Sequence, residues 1–452
     1  MSTVTNAADA TKDPREIRRV VTSSFIGSTI EFYDFILYAT AAAIVFGPVF
    51  FSTLDPLLAT IASYLTFAAG YLARPIGGIV FGHFGDRIGR KRMLMVSLTV
   101  MGVASMLIGL VPPVEVWGAF LLLLLRMVQG IAIGGEWGGA TLMALEHSST
   151  SKRGFAASFA NAGGPAGAFL GTAALALFAL LPQDQFLAWG WRIPFLFSGA
   201  LLVIGLYIRS RVSESPVFTA ALQIAEATKA RRPKVPIAQV FRRPGALLTV
   251  GLVGMSSFVL QAMFSTFTVG FAVESGFDRS SALWAFAVSQ LIAAFTIPAA
   301  AALSDRIGRK PVMLGGLVLT GVLAFPLFAL VATAQAWAVY LAFILALPLC
   351  QSLMFGPMAA FLAENFATSS RYTGASLGYQ LAALLGAGFT PAIASTIFAA
   401  GGGDVTGVVW FLIGMCAISL VVLVVFGRES RHVIIDESRS EEPVVAPQTV
   451  GA

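Results

Sequence analysis

Five ionisable side chains stand inside long apolar runs of this sequence: Glu31, Asp34, Arg74, Arg126 and Glu136. Each is costly in hydrocarbon and persists only when paired or turned toward a water-filled cavity, which makes an intramembrane charge a candidate for ion or ligand chemistry. Glu31, Asp34 and Tyr38 follow i, i+3, i+7 spacing and share one face of a helix. Desolvation drives a buried carboxylate toward its protonated form, and a nearby arginine drives it toward the ionised form. A cluster of Glu31, Asp34 and Arg126 is therefore tuned to gain and lose a proton, or else is a static ion pair that locks two helices together. At 1.5 Å per residue, Glu31 and Asp34 lie about 16 and 21 Å from the cytoplasmic start of their span, and Arg126 about 14 Å from the outer start of its own. All three are near the bilayer midplane. Arg74 and Glu136, about 25 and 28 Å in from the outside, approach the cytoplasmic surface. There Arg74 either snorkels, joins the adjacent loop, or touches ligand. The second half of the chain offers polar but uncharged groups in its spans: Gln261, Gln290, Gln351, Tyr379 and Gln380. Each is either a helix-to-helix hydrogen bond or a ligand contact. The asymmetry suggests charge chemistry in the first half and recognition of shape or hydroxyls in the second.

The elements that hold these groups follow from composition. The 452 residues are 57 % hydrophobic and 12 % charged, with a mean hydropathy of +0.82. Stretches such as Pro244 to Val273 carry no charge at all. The fold class expected is all-α integral membrane. Apolar runs predict twelve transmembrane helices near 20–46, 57–81, 93–111, 117–143, 155–180, 191–208, 245–272, 281–303, 311–333, 336–361, 372–399 and 405–427. The hexapeptide DRIGRK occurs at 86–91, after the second span, and again at 305–310, after the eighth. Glu146 with Arg153 and Glu364 with Arg371 repeat at almost the same offset. Two such marks in one register argue for an internal repeat of two six-helix bundles. The domains expected are a tail at 1–19, a bundle at 20–208, a central loop at 209–244, a second bundle at 245–427 and a tail at 428–452.

Lys and Arg set the orientation. All of them except Arg74, Arg126, Arg192 and Arg279 fall in the tails, the central loop or the loops after the even-numbered spans. Both termini and both DRIGRK copies are therefore expected on the cytoplasmic side of a cell membrane. The net charge of +6 reflects that topology and calls for no nucleic-acid partner. The N-terminal flank of the first span carries KDPREIRR, a cytoplasmic anchor rather than a cleavable leader.

Other classes find little support. Cys350 and Cys416 sit inside spans, with neither a disulfide framework nor a metal spacing. His83, His147 and His432 have no partner spacing for a metal or a nucleophile. No nucleotide-binding glycine loop follows a strand, and no nucleophile stands beside a base. No cofactor, no metal and no enzymatic activity are expected.

Several stretches carry a resemblance. GHFGDRIGRKRM at 82–93, opening on Gly82, resembles the loop 2–3 signature of the major facilitator superfamily, and SDRIGRK at 304–310 resembles its echo. EFYDF at 31–35, YLARPIGG at 71–78, RMVQGIAIGGEWGGA at 126–140, WGWRIPFLFS at 189–198 and SESPVF at 213–218 resemble the metabolite:proton symporter family within it, shikimate-type carriers included. The resemblance implies two six-helix bundles around a cavity that opens alternately to each side, driven by protons. Arg126, Gln129 and Gly130 match the superfamily's RxxQG pattern, which implies a coupling role for Arg126. Glu136 is either a second proton site or a packing ion pair. The fold also implies that Asp86 sits at the N-terminus of span 11, near Arg371, and Asp305 at that of span 5, near Arg153. A carboxylate there is favoured by free amides and the positive helix end, so these pairs are cytoplasmic latches. Gly89 and Gly308 allow tight turns, and Arg87, Arg90, Arg306 and Arg309 anchor nearby. GGPAGAFLG at 163–171 partly resembles a motif of proton-coupled antiporters, with Ala168 in place of a glycine; Pro165 is otherwise a kink.

A midplane arginine suits a carboxylate. The expected ligand is a small hydroxylated or aromatic monocarboxylate such as shikimate, carried with protons by a monomer in the lipid bilayer. The alternatives are a zwitterionic osmolyte such as betaine or proline, proton-driven efflux and, furthest, a transport-like receptor. The short tail after Gly427 lacks the heptads of osmosensing relatives.

Overall fold

In the computed structural model the chain is described over residues 14–88, 90–134, 153–210, 244–366 and 371–430. Apolar runs with no water to satisfy their amides close their hydrogen bonds internally. Regular structure among the described residues is accordingly all helical. The long stretches are α1 (Pro14–Ile44), α2 (Pro56–Ile88), α3 (Arg90–Leu110), α4 (Glu115–Ile133) and α5 (Arg153–Phe178). They continue with α6 (Gln183–Ser210), α7 (Pro244–Glu274), α8 (Arg279–Ile307), α9 (Arg309–Ala332) and α10 (Ala336–Glu364). α11 runs from Arg371–Ala383 through Leu384–Gly388 to Thr390–Ala400, and α12 is Thr406–Val425. Among the described residues ten of these stretches are long and apolar enough to cross a membrane. α1 and α5 are not among the ten. They are richer in small and polar residues and pack lengthwise on each other.

The glycines of GGPAGAFLG explain that contact. Cβ atoms at Gly163 and Gly171 would meet Phe25 O at 2.6 Å and Tyr33 O at 2.7 Å, and one at Gly167 would strike Thr29 O. The i, i+4, i+8 glycine face thus lets two backbones touch, so the motif has a packing reason here. The halves meet along α5 with α8 and α10, α2 with α11, and α1 with α7. Outer faces carry exposed Phe295, Val203 and Val322, as expected of surface turned to lipid.

Three boundaries differ from expectation. α1 begins at Pro14, inside the expected tail, and α2 continues past 81 to Ile88. The hexapeptide is mostly helix: Ile88 ends α2 and Arg90 opens α3, as Ile307 ends α8 and Arg309 opens α9. The chain turns on Gly308 at φ 109° and ψ 158°, a conformation that only glycine adopts without strain. Arg153 and Arg371 open α5 and α11 in the same register. Residues 135–152 and 211–243, with Gly89, Glu136, Glu146 and most of the expected central loop, lie outside the described residues, as do the surroundings of Gly82 and the side chains of Asp86, Arg87, Arg90, Arg153 and Arg371.

Candidate functional site: a central cavity with an arginine wall

Between the halves lies a cavity lined from the first half by Phe32, Phe35, Tyr71 and Arg74 and from the second by Gln261, Gln290 and Gln351. About 490 Å³ is free of atoms, but the centre of a water-sized sphere fits only about 40 Å³ of it. The walls are therefore nearly closed on one another. The smaller figure decides what fits, since the larger includes crevices no molecule enters.

Arg74 belongs to this wall and not to the cytoplasmic edge. Its helix runs to Ile88, which leaves about 21 Å of helix between Arg74 and that end. The guanidinium carbon stands 4.3 Å from the Phe35 ring centre and 4.2 Å from that of Tyr71. Its Nε is buried with no hydrogen-bond partner. Arg126, fully buried, lies one layer behind, 3.9 Å from the same Phe35 ring, 4.3 Å from Tyr38 and 5.0 Å from Phe67. It donates to Gln129 Oε1 at 3.1 Å, while its Nε and one Nη have no partner. Among the described residues no carboxylate lies within ion-pair distance of either arginine. Aromatic faces offset part of the cost of desolvating a guanidinium, but two positive charges behind one ring leave a site that favours an anion.

The acids of α1 do not close that balance. Asp34, 2 % exposed, accepts a short hydrogen bond from Ser198 of α6 and faces the Ser105 hydroxyl of α3. Gln129 donates to Ser105 Oγ at 2.7 Å. Arg126, Gln129 and Ser105 are thus joined by hydrogen bonds, while the Ser105 hydroxyl itself donates to Met101 O at 3.0 Å, so the string stops at Ser105, beside Asp34. Glu31 sits in the field of Arg74 and Arg209 instead. Tyr38 donates to Thr66 at 2.7 Å. Ser105 and Ser198 escaped the sequence reading because a serine in an apolar run is ordinary packing glue and gives no signal. Phe35, adjacent to Asp34 in EFYDF, was within reach of it.

The opposite wall is neutral. Gln290 Nε2 donates to Gln261 Oε1 at 3.4 Å and Gln351 Nε2 to Ser257 O at 3.2 Å. Gln290 Oε1 and Gln351 Oε1 are buried and accept nothing. Wide helical turns at Met263–Phe267 and Leu345–Gln351 adjoin these glutamines, as such turns often do at functional sites. Tyr379 and Gln380 do not line the cavity: Tyr379 packs on Phe258, and Gln380 reaches Gly134 O at 3.4 Å. The wall as a whole offers acceptors to a ligand with hydroxyl donors.

At the end of the bundle where α5 begins, Asp305 receives Gly154 N at 3.2 Å and Phe155 N at 2.9 Å. Arg309, 1 % exposed, donates to Asp305 at 2.6 Å and Ser304 at 2.7 Å, and its other nitrogens meet Glu364 at 3.4 and 3.5 Å. Glu429 accepts from Arg309 N and Lys310 N at 2.9 and 3.0 Å, capping α9. Arg306 is exposed.

A helical carrier fold with a charged central cavity defines a class, and sequence comparison places the chain in it. The pattern of the Major Facilitator Superfamily matches residues 24–278 and 250–450, and the chain belongs to that superfamily as a multi-pass membrane transport protein. It is 39 % identical over 434 residues to the inner membrane metabolite transport protein YhjE of Escherichia coli, covering 92 % of this chain and 94 % of that one. It is 36 % identical over 420 residues to the shikimate transporter of the same organism, covering 92 % and 95 %. The xylose transporter XylE from E. coli, in a partially occluded inward-open conformation, shares the fold at a TM-score of 0.72 and 18 % identity, over 93 % of this chain and 100 % of that one.

Proposed function

We propose that the chain takes up a small hydroxylated monocarboxylate, of which shikimate is the type, together with protons, by alternating access. The observation that carries this is the cavity's polarity: an unpaired arginine wall facing glutamine oxygens that accept no hydrogen bond. Arg74 receives the carboxylate as a charge-assisted pair, and Gln290 and Gln351 accept from the ligand's hydroxyls. A quaternary ammonium has no such donors to give. Asp34, with no ion-pair partner among the described residues, takes and releases the coupled proton, and Ser105 and Gln129, which stand between it and Arg126, pass that event to the ligand's charge. Glu31 shares the load near Arg74.

Twelve crossings in two six-helix bundles, with both termini cytoplasmic and one chain as the working unit, fit the distribution of Lys and Arg. Asp305 on the amides of α5 acts as a cytoplasmic latch, and by the repeat Asp86 does the same at the start of α11.

The test is uptake of labelled shikimate into sealed proteoliposomes under an imposed inward proton gradient, with and without an uncoupler. Uncoupler-sensitive accumulation is expected. None in correctly oriented vesicles rejects shikimate uptake. Accumulation of betaine instead would support the osmolyte reading, and acceleration by an opposite gradient would support efflux.

A further inference from the structure

Of the cations outside the cytoplasmic loops, Arg279 has the least expected position. Arg192, on the same outer side, satisfies carbonyls of its own half, Gly109 O at 3.0 Å and Val111 O at 2.8 Å. Arg279 reaches across to the other half. It opens α8 and donates to Ala179 O at 3.1 Å and Leu181 O at 3.5 Å, beyond the C-terminus of α5, with its guanidinium 4.4 Å from the Phe186 ring centre. Its neighbour Ser280, 3 % exposed, donates to Ala176 O at 2.9 Å. α8 thus runs antiparallel to α5 and holds it at both ends. Asp305 meets the free amides where α5 begins, and Arg279 meets the free carbonyls where α5 ends. Each charge has the sign that the helix dipole favours, and each bond joins the two halves.

We propose that Arg279, seconded by Ser280, is the outer gate of the transport cycle, the counterpart of Asp305 at the inner end. Its bonds to α5 exist only while the halves are closed outside, so they break each time the mouth opens outward. With both ends held, the cavity is sealed on this side in both directions. Across the molecule, a vestibule of about 650 Å³ lined by Asp55, Tyr64, Phe271 and Glu274 already admits solvent between the halves. The α5–α8 seam is therefore the side on which outward opening still has bonds to break. The inference rests on the alternating-access reading, but its test reads distance and not accumulation, so a wrong ligand leaves it intact.

Spin labels at Asp184→Cys and Ala336→Cys, both exposed at the outer ends of their halves, report that opening in the full chain reconstituted in lipid nanodiscs, with Cys350 and Cys416 replaced by serine. Arg279→Ala is expected to raise the fraction of long distances roughly fivefold, the scale of a partly buried charge at a helix end. Arg279→Lys keeps a cation within reach of a carbonyl and restores most of the short distances. Ser280→Ala shifts them the same way by less. Asp305→Asn, which frees the inner end, lowers the long fraction. An unchanged distribution in both Arg279→Ala and Ser280→Ala overturns the proposal, as does an Arg279→Lys variant that opens as far as Arg279→Ala.

Discussion

Two buried arginine sites in this chain are solved in opposite ways. Where α8 turns into α9 in the second half, Arg309 is enclosed by Asp305, Glu364 and Ser304, and its backbone amide by Glu429. At the centre of the first half, Arg74 and Arg126 have rings, one amide and, among the described residues, no carboxylate. A buried charge with its hydrogen bonds filled is structure. One left short of partners raises the energy of the empty protein, and a ligand of opposite charge lowers it again. The contrast teaches that burial alone does not mark a functional arginine; the unfilled donors do.

That contrast can be broken by substitution. Asp34→Asn removes the proton exchange while sparing the hydroxyl contacts in shape, so gradient-driven accumulation should fall to background while exchange of labelled for unlabelled ligand across the same vesicles continues. Loss of both would make Asp34 a ligand contact or a structural group. Arg309→Ala strands Glu364 and Asp305 and should cost about 3–5 kcal/mol of stability, read as a drop in detergent unfolding midpoint. Arg126→Ala should leave that midpoint near the wild-type value and still abolish accumulation; a drop as deep as that of Arg309→Ala would place Arg126 with the structural arginines.

Smaller effects sharpen the picture of the second half. Gln351→Leu removes one acceptor from the cavity wall and should weaken a hydroxylated acid about tenfold while changing its deoxy analogue little, since one hydrogen bond in a closed site is worth about 1–2 kcal/mol. Equal weakening of both ligands would mean that Gln351 only packs. Gly308→Ala places a side chain at φ 109°, with its Cβ 2.6 Å from Glu429 Oε2, and should cost about 1 kcal/mol or somewhat more. A neutral result would show that the turn relaxes.

The sequence made much of this visible. Apolar length and the doubled DRIGRK located the helices and the repeat, because a bilayer punishes every unpaired amide and leaves few alternatives. Glu31, Asp34, Arg74 and Arg126 stood out for the same reason. Depth did not follow: Arg74 looked shallow because α2 was expected to end at 81, whereas a charged helix end can project past the hydrocarbon and α2 runs to Ile88. Partnerships were also hidden. Nothing in an apolar run tells Ser198, which holds Asp34, from Ser289, which bonds only its own helix at Phe286 O. The pairing of Glu364 with Arg309 depends on how α9 and α10 cross, and the grip of Arg279 on α5 on how the halves meet. Such contacts are long-range facts of packing, on which spacing within one helix is silent.

The central claim is that Arg74 is an anion seat and not a brace. It is tested most directly by the thermal unfolding of purified Arg74→Ala with and without a saturating hydroxylated monocarboxylate that wild-type protein accumulates. Ligand that binds only the folded state raises the midpoint in proportion to its occupancy. The ligand-free midpoint is expected within a few degrees of wild type, with no ligand-induced rise. A variant that unfolds far earlier yet keeps its ligand-induced rise would contradict it.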